Sequence, residues 1–490
     1  MTGSFRIDLA AIAKDAMARY GFLADFPRAL LQEVRILDAE RLLSRRKARV
    51  KDLRGLLWSS IDNHDSQDLD QLEYCERGPR QEILVKVAIA DVDIFVPKGS
   101  RADQHAAQNG NSVYTGITTF PMLPHALSED ISSLLPGADR LAIVIEFAVL
   151  KDGDIRQGRI YPALVSNKAK LVYEEVGAWI EGRGPAPKAL GETPGLEAQV
   201  RLQDEAARRL ESFRMAEGAL GLETLETRAV TENGVVIRLV LPQESRAQQI
   251  IENFMIAANR TVMEFLSKAG FAVIQRVVRV PKNWAGIVEL AMTLQERLPA
   301  EPDARALSKF LLKQKARDPL RFPDLSLAVV KLLGPGEYTM LEPGKPPLGH
   351  FGLAVMDYTH ATAPNRRYVD VIIQRLLKAA IAGEECPYTR KELVEHAAWC
   401  TDRDKASKKV ERFMQKVEAA SLIHDRVGEI FSGIVTGASE KGTYVRLDDP
   451  PVEGRVVRGF ERMRVGHKVR VKLVDLDPYK GHIDLVKVRA

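Results

Sequence analysis

Cysteine is scarce in this 490-residue sequence: Cys75, Cys386 and Cys400 stand far apart, with no CxxC spacing. Such a set excludes a disulfide framework, makes no zinc site, and reads as free thiols in a reducing compartment. Long apolar runs are missing too. No stretch reaches the roughly 20 residues of a membrane-spanning helix. The opening segment MTGSFRIDLAAIAKDAMARYGF carries acids and bases inside its apolar part, which argues against a signal peptide and for a soluble, cytoplasmic protein. Internal repeats and low-complexity tracts are absent. Neither sign of charge dominates: 71 Lys and Arg face 66 Asp and Glu, a net charge of +5. That excess suits a polyanionic partner without requiring one. What is present is an ordinary globular balance, 45% hydrophobic and 28% charged. The length exceeds one compact core and implies about two to four domains.

Periodicity divides the chain. Residues 1–55 read as helical, through IDLAAIAKDAMARY and DFPRALLQEVRILDAERLL, with Asp25 ahead of Pro27 as a helix start. Two or three short helices here could form a helix-turn-helix-like unit or a plain packing segment. From Leu56 to Ser166 the text is β-rich, with a turn at Lys151-Asp152-Gly153-Asp154. A helix over Gly195–Ala219 follows, then a hairpin around Asn233-Gly234, then an amphipathic helix ending at Gly270. Asn283–Leu333 reads as mostly helical and Gly334–Gly352 as a loop; further helices are expected from Pro364 to Gly383 and from Asp402 to Ile423. Past Arg426 the text turns to short strands with glycines, which marks a domain boundary.

The most informative segment is SSIDNHDSQDLDQL. It crowds Asp62, Asp65, Asp68 and Asp70 behind an apolar run. An extended backbone points Asp68 and Asp70 to the same side. Asp62 comes alongside if the residues between them turn, as Asn, Asp and Ser favour. Crowded carboxylates repel, and a divalent cation with a taste for hard oxygen, magnesium or manganese, relieves the repulsion. By composition alone an acidic surface loop is the simpler reading. The EF-hand order of a calcium loop is absent.

This segment resembles the signature of the RNB domain of the RNase II/RNase R family, roughly T-I-D-x5-D-x-D-D. The resemblance continues, in family order, through VAIADVDIFVPKGS, FPMLPHALSED, KAKLVYEEV, RAQQIIENFMIAAN and HFGLAVMDYTHATAPNRRYVDVIIQRLLKA. It implies that Asp62, Asp68 and Asp70 hold the metal and the scissile phosphate, with Asp70 the most critical for cleavage. The family's usual fourth aspartate, directly after Asp70, is Gln71 here, which offers a carbonyl oxygen but no charge. Asp65 is a weaker substitute for it. Asp91 either faces the site or is structural.

In DYTHATAPNRRYVDVIIQRLL, Pro364 fits the first position of a helix, with Arg366 and Arg367 in its first turn. A helix N-terminus beside arginine suits a phosphate, although a solvated first-turn residue is the plainer alternative. The resemblance gives Arg366 the catalytic arginine role and leaves Tyr358 and His360 structural or backbone-binding. Ala363 replaces the usual serine, so the helix cap looks weak. The resemblance also makes Tyr114 the clamp on the terminal nucleotide and sets Glu411 near the RNA 3′ end. The family's second clamp wall falls at Val280, with Trp284 nearby.

The tail, G-x-I-F-x-G-x-V-x-G…K-G-x-Y-V-x-L…V-E-G, resembles an S1-type RNA-binding domain, a five-stranded OB barrel. Phe431 and Tyr444 are its candidate stacking residues. Arg446, Arg455, Arg458, Lys468, Arg470 and Lys472 are candidates for phosphate contacts. About 55 residues precede the catalytic region, too few for the two cold-shock barrels of many relatives, so the RNA path is expected to differ.

The expected fold is multidomain α+β: a helical N-terminal segment (1–55), a mixed α/β RNB catalytic domain (56–424) and an S1-type OB-fold barrel (425–490). The expected activity is 3′-to-5′ hydrolysis of single-stranded RNA to nucleoside 5′-monophosphates by a magnesium-dependent (or manganese-dependent) two-metal mechanism. The alternatives are a catalytically weak or inactive RNA-binding regulator and an oligoribonuclease that prefers short RNAs. The chain is expected to act as a monomer, with no membrane and no protein partner.

Overall fold

Alternating and near-continuous apolar residues in ILVKVAIA and DRLAIVIEFAV build the centre of a seven-stranded sheet. Its strands are β1 (Lys51–Asp52), β2 (Ser59–Asp62), β3 (Gln71–Arg77), β4 (Ile83–Ala90), β7 (Asp139–Val149), β8 (Ile155–Ser166) and β9 (Ala169–Val172). Their spatial order is β1-β8-β7-β4-β3-β2-β9. The two edge strands β1 and β9 run parallel to their neighbours, and the remaining pairs are antiparallel. The structure is a computed structural model. It describes residues 7–488, apart from 38–40, 43–49, 224–226, 233, 241–243, 320, 440–441 and 462.

Strand β4 is buried along almost its whole length, as expected when a strand is covered on both faces. Helices α6 (Arg246–Lys268) and α10 (Tyr368–Ala382) bring Phe254, Val262, Ile372 and Leu376 into the same core as Val85, Val87 and Ile145. Each such side chain contributes about 1.5–3 kcal/mol by leaving water. A full capping box, Ser245 with Gln248, starts α6. Alongside it pack α4 (Tyr173–Ile180) and α5 (Leu196–Glu217), the latter close to the helix expected over 195–219. The turn at 151–154 is present, with Gly153 at φ +89°.

Several expected boundaries move. The helix expected from Asp402 begins at Arg390 and runs unbroken to Leu422 as α11, opened by a second capping box, Thr389 with Glu392. The segment 334–352 is not all loop: β13 (Glu337–Leu341) pairs with β12 (Val273–Val277). Between those strands lie α7 (Trp284–Thr293), α8 (Ala304–Arg317) and α9 (Phe322–Leu333), as expected. The hairpin of β10 (Arg228–Glu232) and β11 (Val235–Val240) forms; Asn233 at its tip lies outside the described residues.

Near the N-terminus, α1 (Leu9–Arg19) packs against α11, whereas α2 (Arg28–Arg35) packs against α3 (Arg101–Asn109). Pro27, not Asp25, precedes α2, and Asp25 pairs with Lys14 at 2.7 Å. The end of that expected helix falls partly outside the described residues. At the other end, β14 (Ile430–Ser439), β15 (Gly442–Leu447), β16 (Glu453–Arg458), β17 (Lys468–Asp477) and β18 (His482–Lys487) close a five-stranded barrel. Its interior, with Val435, Val445 and Leu473, is continuous with Leu9 and Met17 of α1 and Val410 and Val417 of α11.

Candidate active site

Strand β2 ends at Asp62, the chain turns at His64-Asp65, and an extended run delivers Asp68 and Asp70 to the start of β3. The turn forms as Asn, Asp and Ser invite. Asp62 Oδ1 accepts from the Asn63 N–H at 2.7 Å and the Ser66 hydroxyl at 2.8 Å. Lys170, across the parallel ladder from Ser60, donates to the carbonyls of His64 and Ser66 and fixes the turn from above. Asp70 is held by its backbone, whose carbonyl accepts from the Ala90 N–H at 2.9 Å. Its side chain, 2% exposed, accepts at Oδ1 from the Asn365 N–H at 2.9 Å.

Arg366 does not sit in the first turn of a helix. Residues 364–366 form a turn, Arg367 is extended at φ −138°, and α10 starts at Tyr368. The cause is tertiary. The Ser112 N–H donates to the Arg366 carbonyl at 3.0 Å, the Tyr368 N–H donates to the Gly110 carbonyl at 2.9 Å, and Asn111 bridges Arg367. This short ladder claims the backbone groups that a helical turn would use. Asp370, fully buried, accepts from the Ala363 N–H at 2.8 Å and from Arg367 at 2.9 Å, so the segment is capped from within the helix although Ala363 has no capping side chain.

The same ladder sets Tyr114 beside Arg366. Tyr114 lies on the hairpin of β5 (Val113–Tyr114) and β6 (Thr119–Phe120). A cavity of about 200 Å³ is lined by Tyr114, Arg366, Arg367, Tyr338, Asn111 and Glu411, among others. Three expected site residues, Tyr114, Arg366 and Glu411, therefore share one pocket. Water reaches Tyr114 (41% exposed) and the Arg366 side chain (48%), as befits residues that line a cavity rather than fill a core. The Arg366 Nε stands 3.6 Å from Asp70 Oδ2.

The electrostatics bind the two halves together. Burial pushes the Asp70 carboxyl up to about 8, with the Asp68 charge adding to the effect and Arg366 opposing it. Burial also raises Asp68, Arg366 again opposes, and Asp62 adds to the rise. Burial raises the Tyr173 hydroxyl, and the charges of Asp62 and Glu73 raise it further while Arg366 draws it down. Tyr173 is thus a neighbour of the site that sequence reasoning did not single out. Its signal lay in the parallel pairing of Asp62 with Val172, which is invisible in the text. Asn365 and Tyr338 were missed as well: Asn365 reaches the site through Asp70 and Tyr338 through the pairing of β13 with β12, contacts equally distant in sequence.

Other expectations resolve plainly. Asp65 is on the turn's outer side, its side chain 76% exposed and 3.8 Å from Arg228, so it cannot stand in for a fourth acid. Asp91 is structural, paired with Lys378 at 2.9 Å. Tyr358 is buried, and His360 meets the Tyr338 hydroxyl at 2.8 Å. Trp284 is no clamp wall: its indole donates to the Pro299 carbonyl at 2.9 Å and its ring packs in a satellite core. Val280 is 56% exposed. In the barrel, Phe431 points inward and is 5% exposed, so it cannot stack a base. Tyr444 stays half-buried on the outer side. Arg446 is engaged by Asp324 of α9 at 3.2 Å and ties the barrel to the catalytic region. Arg455, Arg458, Lys468, Arg470 and Lys472 are exposed. No described helix is long and apolar enough to cross a membrane.

Residues 50–383 match the family model described as the RNB domain, and residues 429–488 match the RNase II-type exonuclease C-terminal S1 domain. The chain belongs to the RNB family, the exoribonucleases of RNase II type. Within it the chain is similar to ribonuclease R of Thermotoga maritima, at 30% identity over 95% of this chain and 68% of that protein. Mycoplasma genitalium RNase R, solved in complex with ribose methylated single-stranded RNA, shares the fold at a TM-score of 0.87 and 23% identity, covering 98% of this chain and 78% of that one. Yeast Ssd1, a pseudonuclease, shares it at a TM-score of 0.73 and 17% identity, covering 96% and 59%. At these identities the two structures speak for the fold alone.

Proposed function

We propose that this chain hydrolyses single-stranded RNA from the 3′ end, one nucleotide at a time, to nucleoside 5′-monophosphates, with magnesium or manganese as the resident ion. The observation that carries this reading is the ladder from Gly110 to Tyr368, which presents Tyr114 and Arg366 together against Asp70.

Among the described residues no three of His, Cys, Asp and Glu stand close enough together to hold a metal ion. The fit rests instead on donor chemistry. Asp62, Asp68 and Asp70 offer hard oxygens, and Asp70 is buried with Asp68 raising its pKa, the setting a divalent cation relieves. Those three carboxylates would hold the ions, which when bound activate water and neutralise the leaving oxygen. Arg366 binds a non-bridging phosphate oxygen and offsets the charge that grows there in the transition state. Tyr114 stacks on the terminal base without reading its sequence. Glu411, lining the same cavity, accepts from a terminal ribose hydroxyl and so favours RNA. The exposed barrel residues Arg455, Lys468, Arg470 and Lys472, with Tyr444, bind the incoming strand.

A rival reading, an RNB protein that binds RNA without cutting it, is favoured by Gln71 alone. A third, an oligoribonuclease, differs only in preferred length. A time course on 5′-labelled RNAs of several lengths, with and without magnesium and resolved to single nucleotides, separates all three. A descending ladder that needs the ion supports the proposal. No shortening of any substrate leaves the binding protein standing.

A further inference from the structure

Residues 110–112 hold the backbone around Arg366, and Asn109, the last residue of α3, stands directly before them. Asn109 is 1% exposed. Its Oδ1 accepts from the Leu23 N–H at 3.0 Å, and its Nδ2 donates to the Leu23 carbonyl at 3.0 Å, across 86 positions of chain. The side-chain amide thereby pairs with Leu23 as a strand's backbone would. Leu23 lies in the turn between α1 and α2, and a second fastening holds that same turn. Arg403 of α11 donates to the Tyr20 carbonyl at 3.2 Å and to the Gly21 carbonyl at 3.0 Å, and its guanidinium stands 5.0 Å from the centre of the Phe22 ring. The Arg403 stem abuts Gly110: a Cβ on that glycine would come within 2.7 Å of the Arg403 Cβ. One side chain thus sits between the turn and the first residue of the ladder. The apolar cluster beneath joins them again, since Leu9, Met17 and Phe22 share it with Val113, the neighbour of Tyr114. A plain packing segment needs only its apolar face; this turn is also fixed in register by directional bonds.

We propose that the turn of residues 20–23 is a positioning element of the active site, acting through Asn109 and Arg403 on the ladder that presents Tyr114 and Arg366. Neither Asn109 nor Arg403 touches substrate. Each sets where Gly110 lies, and Gly110 and Ser112 in turn set the backbone on both sides of Arg366, by accepting from the Tyr368 N–H and donating to the Arg366 carbonyl. The N-terminal segment on this account serves the chemistry from behind. The proposal rests on the hydrolytic reading above.

Two variants of the full-length protein test it. Asn109→Ala removes both bonds to Leu23. Arg403→Met keeps a packed apolar stem and drops the bonds to Tyr20 and Gly21. Each is followed by single-turnover cleavage of a labelled RNA with the enzyme in saturating excess, beside RNA affinity and melting curves. Both are expected to cut about tenfold more slowly, because a small misplacement of a catalytic group is costly. Their RNA dissociation constants should stay within about twofold of the parent's, since the loss falls on the chemical step. The rate constant at saturation does not depend on the folded fraction. Purely structural residues would therefore lower the melting temperature and leave that rate unchanged. An unchanged rate in either variant overturns the proposal, and if Asn109→Ala does not fold, Arg403→Met decides alone. A parent protein that shortens no RNA overturns the hydrolytic reading itself, a different outcome from the failure of the positioning role.

Discussion

The backbone N–H of Asn365 donates to Oδ1 of Asp70 at 2.9 Å and joins residues 295 positions apart in the chain. The bond does two things. It holds the buried carboxylate in one orientation, and it registers the turn that carries Arg366 against the acidic segment. Asn365 is itself fixed, since its side-chain oxygen accepts from the Ser132 hydroxyl at 2.7 Å. A site assembled this way is positioned by backbone and not by long flexible side chains.

Asp70→Asn should abolish cleavage and leave RNA binding intact. The amide keeps the side chain's size and one acceptor for the Asn365 N–H but carries no charge. Single-turnover degradation and affinity for a 20-mer, measured in parallel, check this. Cleavage within tenfold of the parent would refute the role given to Asp70.

Tyr114→Ala should lower the rate of the last cleavages more than the first, so that limit products lengthen. Tyr114→Phe should behave as the parent, because stacking needs the ring and not the hydroxyl; base stacking is worth about 1–3 kcal/mol per base. High-resolution gels of late time points read the product length directly.

Glu418 gives a pH dependence. It lies on α11, where its carboxylate crowds Gly116 in the loop that follows Tyr114. Burial pushes its carboxyl up to about 8 from 4.5. The unfolded chain therefore releases this proton at lower pH than the folded protein, and the folded state loses stability as pH rises from about 4.5 to about 8. Glu418→Gln removes that loss. Its melting temperature should exceed the parent's most at pH 8 and above, and the difference should vanish near pH 4. Melts across that range decide it; a constant difference would mean that Glu418 titrates normally.

Lys468→Ala with Arg470→Ala should weaken binding of long RNA and leave short oligonucleotides unaffected. Both side chains are exposed on β17. Removing two phosphate contacts should reduce the salt slope by about 1.4, at about 0.7 per contact on single strands. Deleting the whole barrel would be a poorer test, because it would uncover Val417 and Ile423 of the catalytic region.

Local chemistry was legible in the sequence; long-range pairing was not. The turn between Asp62 and Asp68 follows from Asn63, Asp65 and Ser66, and the sheet strands follow from their apolar pattern. The capping box Thr389-x-x-Glu392 was present in the text and marks the true start of α11. The two-residue period of β14 also separates Phe431, facing inward with Val435, from surface positions. By contrast, nothing near Pro364 announces that residues 110–112 take up its backbone groups. Nothing near Arg446 announces Asp324. The burial of Glu73 likewise depends on α5, whose Gln203 donates to the Glu73 carbonyl from 130 residues away.

The apolar cluster shared by Leu9, Val113, Val417, Val445 and Leu473 spans almost the whole chain. During synthesis, Val113 leaves the ribosome more than 300 residues before the barrel strands that share its cluster (Leu485 of β18 is the last of them). Contacts of such separation form late, because the intervening chain must first be closed into a loop. Until those strands are made, the cluster stays open on the side that the barrel closes, and Leu9, Met17 and Val113 lack part of their cover.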